Sequence, residues 1–343
     1  MKAVVFHEHG GLDKLRYEET PLPVVGSNVV LVKVGACALN HLDIWAREGV
    51  RRVKVTLPHI SGSDISGTIA EVGDSVSQVN IKDRVVVSPG LSCGKCEFCV
   101  SGQDNFCLSY HIIGSYKVDG GYAEYVTVPE ENVLPMPKSL TFEEAAAIPL
   151  VFLTAWHMLV TRAGIRSGER VLVLGAGSGV GSAAIQVAKL HGAWVIATGG
   201  SDEKLEKARS LGADQTINHS THDILESVKS LTGKKGVDIV IEHVGSATWD
   251  KSVKSLAPGG RMVTCGSTSG PDGVTDIRYI YAKQLSILGS YMGTREELIE
   301  VLRFVNQDML KPVVDRVMPL EDASRAQQMM VERKHFGKII LKP

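Results

Sequence analysis

Val171-Leu-Val-Leu-Gly175-Ala-Gly177-Ser-Gly179-Val-Gly181 is a short apolar run that ends in four glycines at alternate positions. Apolar residues without a charge are typical of a strand buried on both faces of a parallel sheet. The next stretch, Ser182 to His191, has alanine and valine at helical spacing and predicts a helix packed on that strand. Glycines at such a turn let a diphosphate approach the free N–H groups of the helix N-terminus. The stretch therefore predicts a dinucleotide-binding turn.

The surrounding pattern strengthens this interpretation, because a glycine-rich turn alone is often only a tight turn. A second apolar run, Ala193 to Thr198, follows after one helix and completes a βαβ unit of about 30 residues. Further strand-like runs lie at 215–218, 238–242, 261–265 and 286–289, and helical stretches at 202–211 and 221–231. Six strands that alternate with helices predict a doubly wound parallel sheet.

The end of the second strand bears on the choice between NAD(H) and NADP(H). An NAD site usually has Asp or Glu here, about 20 residues past the glycines, to hold the ribose hydroxyls. Gly199 occupies the expected carboxylate position and leaves room for a 2′-phosphate, which Ser201 and Lys204 are placed to bind. Asp202 is predicted to be the N-cap of the next helix. The sequence thus favours NADP(H) over NAD(H).

Composition limits the classes of partner. The chain has 343 residues and a net charge of −1, from 37 basic and 38 acidic residues, so it lacks the basic surface typical of nucleic-acid binding. It has no uninterrupted apolar run of about 18 residues, as a membrane span would need. We therefore expect a soluble, cytoplasmic protein that binds a small-molecule substrate, with neither nucleic acid nor membrane as partner.

The first 150 residues have a different character from the rest. Short β-type runs at 29–34, 67–72, 83–88 and 122–128 are separated by Gly, Pro and Asp turns and predict an antiparallel barrel. No helical period is recognised before about Phe142. A helix-like stretch, Phe152 to Arg162, leads into the dinucleotide-binding half, so the boundary is predicted near Pro149.

Four cysteines form the most specific motif of the chain, Cys93-Gly-Lys-Cys96-Glu-Phe-Cys99 followed by Cys107. Four thiolates this close are expected to share a soft cation, and a closed tetrahedral Zn²⁺ site of this kind is structural. An iron–sulfur cluster is the competing interpretation, but its fourth cysteine commonly follows after three residues and precedes Pro. Disulfides between cysteines three residues apart would be strained. We predict one structural zinc in a lobe at residues 92–108.

Several motifs together resemble the medium-chain dehydrogenase/reductase superfamily, in particular zinc-containing alcohol dehydrogenases and quinone oxidoreductases. They are Gly62-Ser-Asp-Ile-Ser-Gly67, Gly120-Gly-Tyr-Ala-Glu124, Ala145-Ala-Ala-Ile-Pro149, the glycine turn and Phe336-Gly-Lys-Ile-Ile340. The resemblance implies a GroES-like antiparallel β-barrel catalytic domain, formed by residues 1–150 and 290–343, and a Rossmann domain at 151–289. It also implies a homodimer or homotetramer in which the last Rossmann strand, near Leu285 to Gly289, pairs across a two-fold axis.

The sequence departs from the alcohol dehydrogenase pattern where that pattern supplies the ligands of a catalytic zinc. Ser63 stands in place of a His, and the ligand position near the domain junction falls near Leu150. The early segment, with Asn40, looks like the quinone reductase form. A catalytic zinc held in the usual way therefore cannot form. A nonstandard site built from His41, His59, Asp64 and His157 stays open as an alternative.

The resemblance also implies roles for individual residues. Asn40 is the best candidate for a hydrogen-bond donor near the nicotinamide and the substrate oxygen, and His41, Asp43 and Asp64 are weaker candidates for proton relay or positioning. The residues expected along the cofactor are Thr154, Ala176, Gly177, Ser178, Gly179, Val180, Gly181, Gly199, Ser201, Lys204, Asn218, His219, His243, Val244, Gly266 and Ser267.

Three functional hypotheses follow. The first is an NADP(H)-dependent oxidoreductase that transfers hydride between nicotinamide and a carbonyl compound, quinone or enone, with one structural zinc. Conjugation in such acceptors spreads the developing charge, so orientation and hydrogen-bond donors suffice without a Lewis acid. The alternatives are a zinc-dependent alcohol dehydrogenase with nonstandard ligands and a non-catalytic nucleotide-binding protein.

Overall fold

The computed structural model describes residues 1–49, 55–115 and 117–343. They form two compact units. The first consists of residues 1–150, 294–306 and 312–343, and the second of residues 151–293 and 307–311.

The strands are β1 (Lys2–Phe6), β2 (Arg16–Glu19), β3 (Val29–Ala38), β4 (His59–Ile60), β5 (Asp64–Val72), β6 (Arg84–Val87), β7 (Gly90–Leu91), β8 (His111–Ile112), β9 (Tyr125–Pro129), β10 (Val133–Pro135), β11 (Arg170–Val173), β12 (Trp194–Gly199), β13 (Gln215–Asn218), β14 (Val237–Glu242), β15 (Leu256–Thr264), β16 (Ser286–Gly289), β17 (Val314–Pro319) and β18 (Lys338–Lys342). The α-helices are α1 (His41–Glu48), α2 (Glu97–Val100), α3 (Phe142–Ala146), α4 (Pro149–Trp156), α5 (Gly179–Leu190), α6 (Asp202–Ser210), α7 (Ile224–Leu231), α8 (Trp249–Ser255), α9 (Ile277–Lys283), α10 (Arg295–Asn306) and α11 (Ala323–Val331). A π-helical segment, His157–Arg162, follows α4.

The main sheet of the first unit runs in the order β10-β6-β5-β3-β18-β17, with β9 also paired to β3. Strand β3 is antiparallel to both β5 and β18, and its register places Ala38 opposite Asp64 and opposite Ile340. The inward side chains of this sheet, among them Val32, Ile65 and Ile339, form a continuous buried core. The prediction of a GroES-like β domain is confirmed, and β18 brings residues from the end of the sequence into its centre.

Helix α1 corrects the sequence analysis, which recognised no helical period before about Phe142. The helix spans only His41–Glu48, and its buried face includes the polar residues Asp43 and Arg47 beside Ile44 and Ala46. Polar residues on the inner face conceal the apolar period on which a helix is recognised. The Asp43 carboxylate accepts the backbone N–H of Asn40 at 2.7 Å, which stabilises the first turn.

The second unit is a six-stranded parallel sheet in the order β13-β12-β11-β14-β15-β16. All six predicted strands are present, and the predicted doubly wound sheet is confirmed. Its central strands bury Leu172, Ile196 and Val240 in one core. One detail was wrong: the N-cap of α6 is Ser201, whose hydroxyl accepts the Lys204 backbone N–H at 3.4 Å, and Asp202 is the first helical residue.

None of the helices in the described part of the chain is both long and apolar enough to span a bilayer.

Candidate active site

Three polar side chains meet on neighbouring strands of the first unit. Lys338 begins β18, Asn40 follows β3, and Asp64 begins β5. The Lys338 ammonium donates to Asn40 Oδ1 at 2.6 Å and to Asp64 Oδ2 at 2.9 Å, and Asn40 Nδ2 donates to the same Asp64 oxygen at 2.9 Å. All three residues are buried. A buried ion pair is thus combined with a side-chain amide that contacts both of its charges.

Asp43 lies beside this group and organises the backbone around it. Its carboxylate accepts the N–H of Asn40 at 2.7 Å, the hydroxyl of Tyr122 at 2.9 Å and the N–H of Gly62 at 3.2 Å. Burial raises the pKa of Asp43 to about 6, although the Asn40 N–H and the Tyr122 hydroxyl act in the opposite direction. The contacts of Asp43 therefore fix the loops that carry Asn40 and Gly62, and its own role in proton transfer stays a prediction.

Two positions that hold the catalytic zinc in the alcohol dehydrogenase pattern, occupied here by Ser63 and Leu150, lie next to Asp64, and Asn40 of the early segment contacts it as well. Asn40 contacts its carboxylate directly, Leu150 donates its backbone N–H to Asp64 Oδ1 at 2.7 Å, and Ser63 precedes it in the chain. Ser63 is fully buried, and its hydroxyl has no hydrogen-bond partner within the described residues. An amide, a hydroxyl and an aliphatic side chain offer neither thiolate nor imidazole to a metal.

The histidines that could form a nonstandard metal site are spread over the fold. His41 is exposed at the first position of α1, and its ring centroid lies 6.1 Å from that of Trp45. His59 is buried, with Nδ1 3.4 Å from an Asp119 carboxylate oxygen, and burial lowers its pKa. His157 belongs to the π-helical segment of the second unit. Among the residues that the structure describes, these histidines and Asp64 do not form a cluster of three or more groups spaced to share a metal.

The four predicted zinc ligands lie together. The Sγ atoms of Cys96 and Cys99 are 3.4 Å apart, those of Cys93 and Cys99 are 3.9 Å apart, and all four sulfur atoms lie within 4.8 Å of one another. Zn–S bonds of about 2.3 Å in a tetrahedron require S–S separations of roughly 3.8 Å, so the cluster fits one zinc ion. Over residues 1–49, 55–115 and 117–343, this is the only group of three or more His, Cys, Asp or Glu side chains spaced to share a metal.

The glycine turn has the geometry expected of a diphosphate cradle. Gly175 adopts a left-handed φ of +58°, and a Cβ at Gly181 would lie 2.3 Å from the Gly175 carbonyl oxygen. The Ser178 hydroxyl caps α5 by accepting the Gly181 N–H at 2.9 Å. Only glycine permits this close packing of the turn against the helix start. Ala176, Gly177, Gly179 and Val180 complete the turn.

The remaining predicted cofactor residues lie at or just after strand ends of the second unit, except for the buried Thr154 on α4 and Lys204 in the first turn of α6. His243 Nε2 donates to the Leu174 carbonyl oxygen at 2.7 Å, and a Cβ at Gly175 would lie 3.2 Å from His243 Cε1, so the ring borders the glycine turn. Val244 follows β14 together with His243, while Gly266 and Ser267 follow β15.

Sequence reasoning missed Glu242, the last residue of β14. Its buried carboxylate accepts the Val244 N–H at 2.6 Å and the Ser252 hydroxyl at 2.7 Å, and so it holds the loop that follows β14. The signal that could have singled out Glu242 in the sequence is a carboxylate at the end of an otherwise apolar strand.

The region predicted for a 2′-phosphate surrounds the end of β12. Gly199 lies opposite Asn218 of β13, and His219 donates its backbone N–H to the Gly199 carbonyl at 3.0 Å. A Cβ at Gly200 would lie 3.3 Å from His219 Nε2, so the imidazole borders this turn. Asn218 donates to Asp202 at 2.8 Å. Gly199, Ser201, Lys204, Asn218 and His219 are therefore neighbours in space or in sequence.

Known proteins match both parts of this architecture. The alcohol dehydrogenase GroES-like domain family matches residues 26–138, and the zinc-binding dehydrogenase family matches residues 179–307. An alcohol dehydrogenase of Geobacillus stearothermophilus is 36% identical over 100% of this chain and 99% of its own length. The chain belongs to the medium-chain dehydrogenase/reductase superfamily.

Other members of the superfamily carry different activities in their names. A quinone oxidoreductase of Rattus norvegicus is 32% identical over 99% of this chain and 97% of its own length. A solved structure of an NAD-dependent alcohol dehydrogenase superposes with a TM-score of 0.97 at 48% identity and covers 100% of both chains. The chain is thus an oxidoreductase of this superfamily, and both activities occur among its relatives.

Within the buried group of Asn40, Asp64 and Lys338, it is Lys338 that sequence reasoning passed over. It lies inside the quoted motif Phe336-Gly-Lys-Ile-Ile340, yet no role was assigned to it. Asn40 and Lys338 are 298 residues apart, and only the pairing of β18 with β3 brings them together.

Proposed function

We propose that this oxidoreductase is an NADP(H)-dependent reductase of quinones and enones that carries one structural zinc. The observation that carries the proposal is the buried group of Asn40, Asp64 and Lys338. It lies beside Ser63 and Leu150, which stand where zinc-dependent relatives would need metal ligands. Such a group can orient and hydrogen-bond an acceptor that is already activated by conjugation, but it does not supply the polarisation that an isolated carbonyl needs.

The chemistry is divided between the cofactor and the protein. Bound reduced nicotinamide supplies the hydride. In the proposed reaction, Asn40 is the donor toward the substrate oxygen, and Asp43 and the exposed His41 are candidates for resupplying a proton. Asp64, held by Leu150 N–H at 2.7 Å and by the Lys338 ammonium, serves to fix the position of Asn40.

The preference for NADP(H) is supported by the residues around Gly199. No carboxylate stands at the end of β12 itself, and Asp202 is engaged by Asn218 at 2.8 Å. His219 and Lys204 border the turn and are the cationic or hydrogen-bonding groups suited to a 2′-phosphate.

Gly199→Asp is expected to shift the preference toward NADH. The new carboxylate would accept bonds from the ribose hydroxyls and repel a 2′-phosphate. The atom nearest to a Cβ here would be Leu205 Cδ2 at 2.8 Å, the flexible end of a side chain, so the substitution fits after a small rearrangement. We expect the ratio of Kd for NADH to Kd for NADPH to fall at least about tenfold in fluorescence titrations. Gly199→Asn, of equal size and no charge, is the control; an unchanged ratio in the Asp variant would refute the assignment.

The four-cysteine cluster supports the structural zinc. Its S–S separations of 3.4 and 3.9 Å match a tetrahedral ion, and a site with four sulfur ligands leaves no open position for substrate. Cys93, Cys96, Cys99 and Cys107 would hold the ion.

Elemental analysis combined with a substrate panel tests the whole proposal. We expect one zinc per chain and NADPH oxidation with quinones and enones, unaffected by brief exposure to a chelator that does not strip the structural ion. Ethanol and simple ketones should react at least about 100-fold more slowly, because an isolated carbonyl lacks conjugative activation.

The names of the alcohol dehydrogenase relatives support a second candidate, a zinc-dependent alcohol dehydrogenase with nonstandard ligands. Two zincs per chain, with alcohol oxidation lost on chelation and restored by zinc, would establish it instead. Tight NADPH binding without turnover of any acceptor would indicate the non-catalytic alternative.

A homodimer or homotetramer is proposed from the resemblance and from the position of β16. This strand is at one edge of the parallel sheet of the second unit, and its residues are exposed or half-buried. Sedimentation of the purified protein measures the assembly.

A further inference from the structure

We infer that Lys338 is a positioning residue that determines the orientation of the Asn40 side-chain amide in the reaction proposed above, on which this inference rests. The juxtaposition follows from strand register. Because Ile340 pairs with Ala38 across β18 and β3, Lys338 comes opposite the end of β3, where Asn40 begins the turn into α1. Ala38 in turn pairs with Asp64 of β5, so all three side chains share one end of three adjacent strands.

The hydrogen-bonding chemistry leaves one orientation for the amide. An ammonium group has only donors, so the Asn40 atom that contacts it at 2.6 Å must be the carbonyl oxygen. An ionised carboxylate has only acceptors, so the Asn40 atom 2.9 Å from Asp64 must be the NH₂ group. A flipped amide would place donor against donor and acceptor against acceptor. The Lys338–Asp64 pair therefore directs the Asn40 oxygen toward Lys338 and the NH₂ group toward Asp64. One hydrogen of the NH₂ group contacts Asp64, and the other has the Ala38 carbonyl at 3.5 Å, a long contact that a substrate oxygen would replace in the proposed reaction.

This arrangement costs free energy that a neutral core would avoid. Desolvation of a buried ion pair often exceeds its Coulombic gain, and hydrophobic replacements are frequently neutral or stabilising. Lys338 and Asp64 are 3% and 0% exposed, so their pair belongs to that class. A role in fixing the amide gives the pair a function that packing alone does not require.

The single variant Lys338→Met is not decisive, because it leaves the Asp64 carboxylate buried without its cation and is expected to unfold more easily. The double variant Lys338→Met/Asp64→Asn removes both charges. The Leu150 N–H holds the oxygen of the amide introduced at position 64, so the NH₂ group of that amide faces Asn40. Asn40 is then expected to turn its own oxygen toward position 64, which reverses the orientation of the wild type. A structural role for the pair predicts restored stability and restored turnover; a positioning role predicts restored stability alone.

The experiment compares the double variant with the full-length wild-type chain over a series of NADPH concentrations up to saturation. We expect a melting temperature near that of the wild type, kcat for quinone or enone reduction reduced at least about tenfold, and an unchanged KM for NADPH. Exchange of the Asn40 side-chain amide protons, followed by NMR, should become faster. Turnover within threefold of wild type in a folded double variant would overturn the inference.

Two controls complete the design. Lys342→Met removes another lysine of β18, which pairs with Glu143 at 2.7 Å on the exposed surface, and should leave kcat unchanged. If the double variant does not fold, Lys338→Arg and Lys338→Gln decide: arginine remains a donor-only cation and should keep most of the turnover, whereas glutamine also offers an acceptor and should lose it. Equal turnover of these two variants would overturn the inference.

Failure of the proposed function is recognised separately. In that case the wild type reduces no acceptor of the panel. The amide exchange of Asn40 in the wild type and the double variant still decides whether Lys338 orients the side chain: unchanged exchange would overturn the inference, and faster exchange in the variant would support it.

Discussion

Gly181→Val is expected to weaken NADPH binding at least about 100-fold, equivalent to roughly 2.7 kcal/mol of binding free energy. The reason is steric. A Cβ at this position would lie 2.3 Å from the Gly175 carbonyl oxygen and 3.0 Å from Ala176 Cα, both backbone atoms that cannot rotate away. The turn must therefore move from the N-terminus of α5, whose N–H groups are the ones we propose to bind the diphosphate. Fluorescence titration with NADPH measures the loss.

The matched control for this variant is Gly289→Ala at the end of β16, where a Cβ meets no atom within 4 Å and the backbone has no left-handed φ. It should bind NADPH like the wild type. The zinc content of Gly181→Val should also be unchanged, because the four cysteines belong to the first unit. An affinity within threefold of wild type in a folded Gly181→Val variant would show that this turn does not hold the diphosphate.

Cys96→Ser is expected to abolish stable zinc binding and to lower the melting temperature by roughly 10 °C. The Cys96 sulfur lies 3.4 Å from that of Cys99, so its loss leaves only three sulfur ligands for an ion that needs four. Zinc content by elemental analysis should fall from one per chain to nearly zero. Calorimetry measures the change in stability.

The destabilisation caused by the loss of zinc in Cys96→Ser should extend from the zinc lobe at residues 92–108 to helix α10. The Asp104 carboxylate accepts the backbone N–H of Arg295 at 3.2 Å, and the Arg295 guanidinium donates to the Glu131 carbonyl at 2.9 Å. Loss of the ion is therefore expected to increase hydrogen exchange at the start of α10 as well as in the lobe.

Cys265→Ser is the control, because it also removes one thiol but lies at the end of β15 in the second unit. It should keep the zinc. If Cys96→Ser retained one zinc per chain, the assignment of the four cysteines as the zinc site would be wrong.

Local patterns predicted most of the second unit. Its strands are buried on both faces, so their apolar runs stand out against the polar helices and the glycines between them. All six strands were located to within a few residues, except for the earlier start of β15 at Leu256. The four-cysteine motif was recognised for a similar reason, since all four cysteines lie within fifteen residues of sequence.

The candidate site was harder to predict because its geometry depends on contacts between distant segments. Asn40 and Asp64 were singled out, but Lys338 was not, because strand register over 298 residues is not encoded in any local pattern. The short helix α1 was missed because Asp43 and Arg47 face the interior. Polar residues that serve a site obscure the apolar period that identifies a helix.

The position of β18 between β3 and β17 has a consequence for folding during synthesis. The second unit lies almost entirely within residues 151–293 and can fold once that stretch has left the ribosome. The first unit begins to emerge earlier, yet its main sheet lacks an interior strand until residues 338–342 are made. The half that is translated first is therefore the half that is completed last, and until then the end of β3 at Cys37 and Ala38 lacks one partner strand and is open to pairing with another chain.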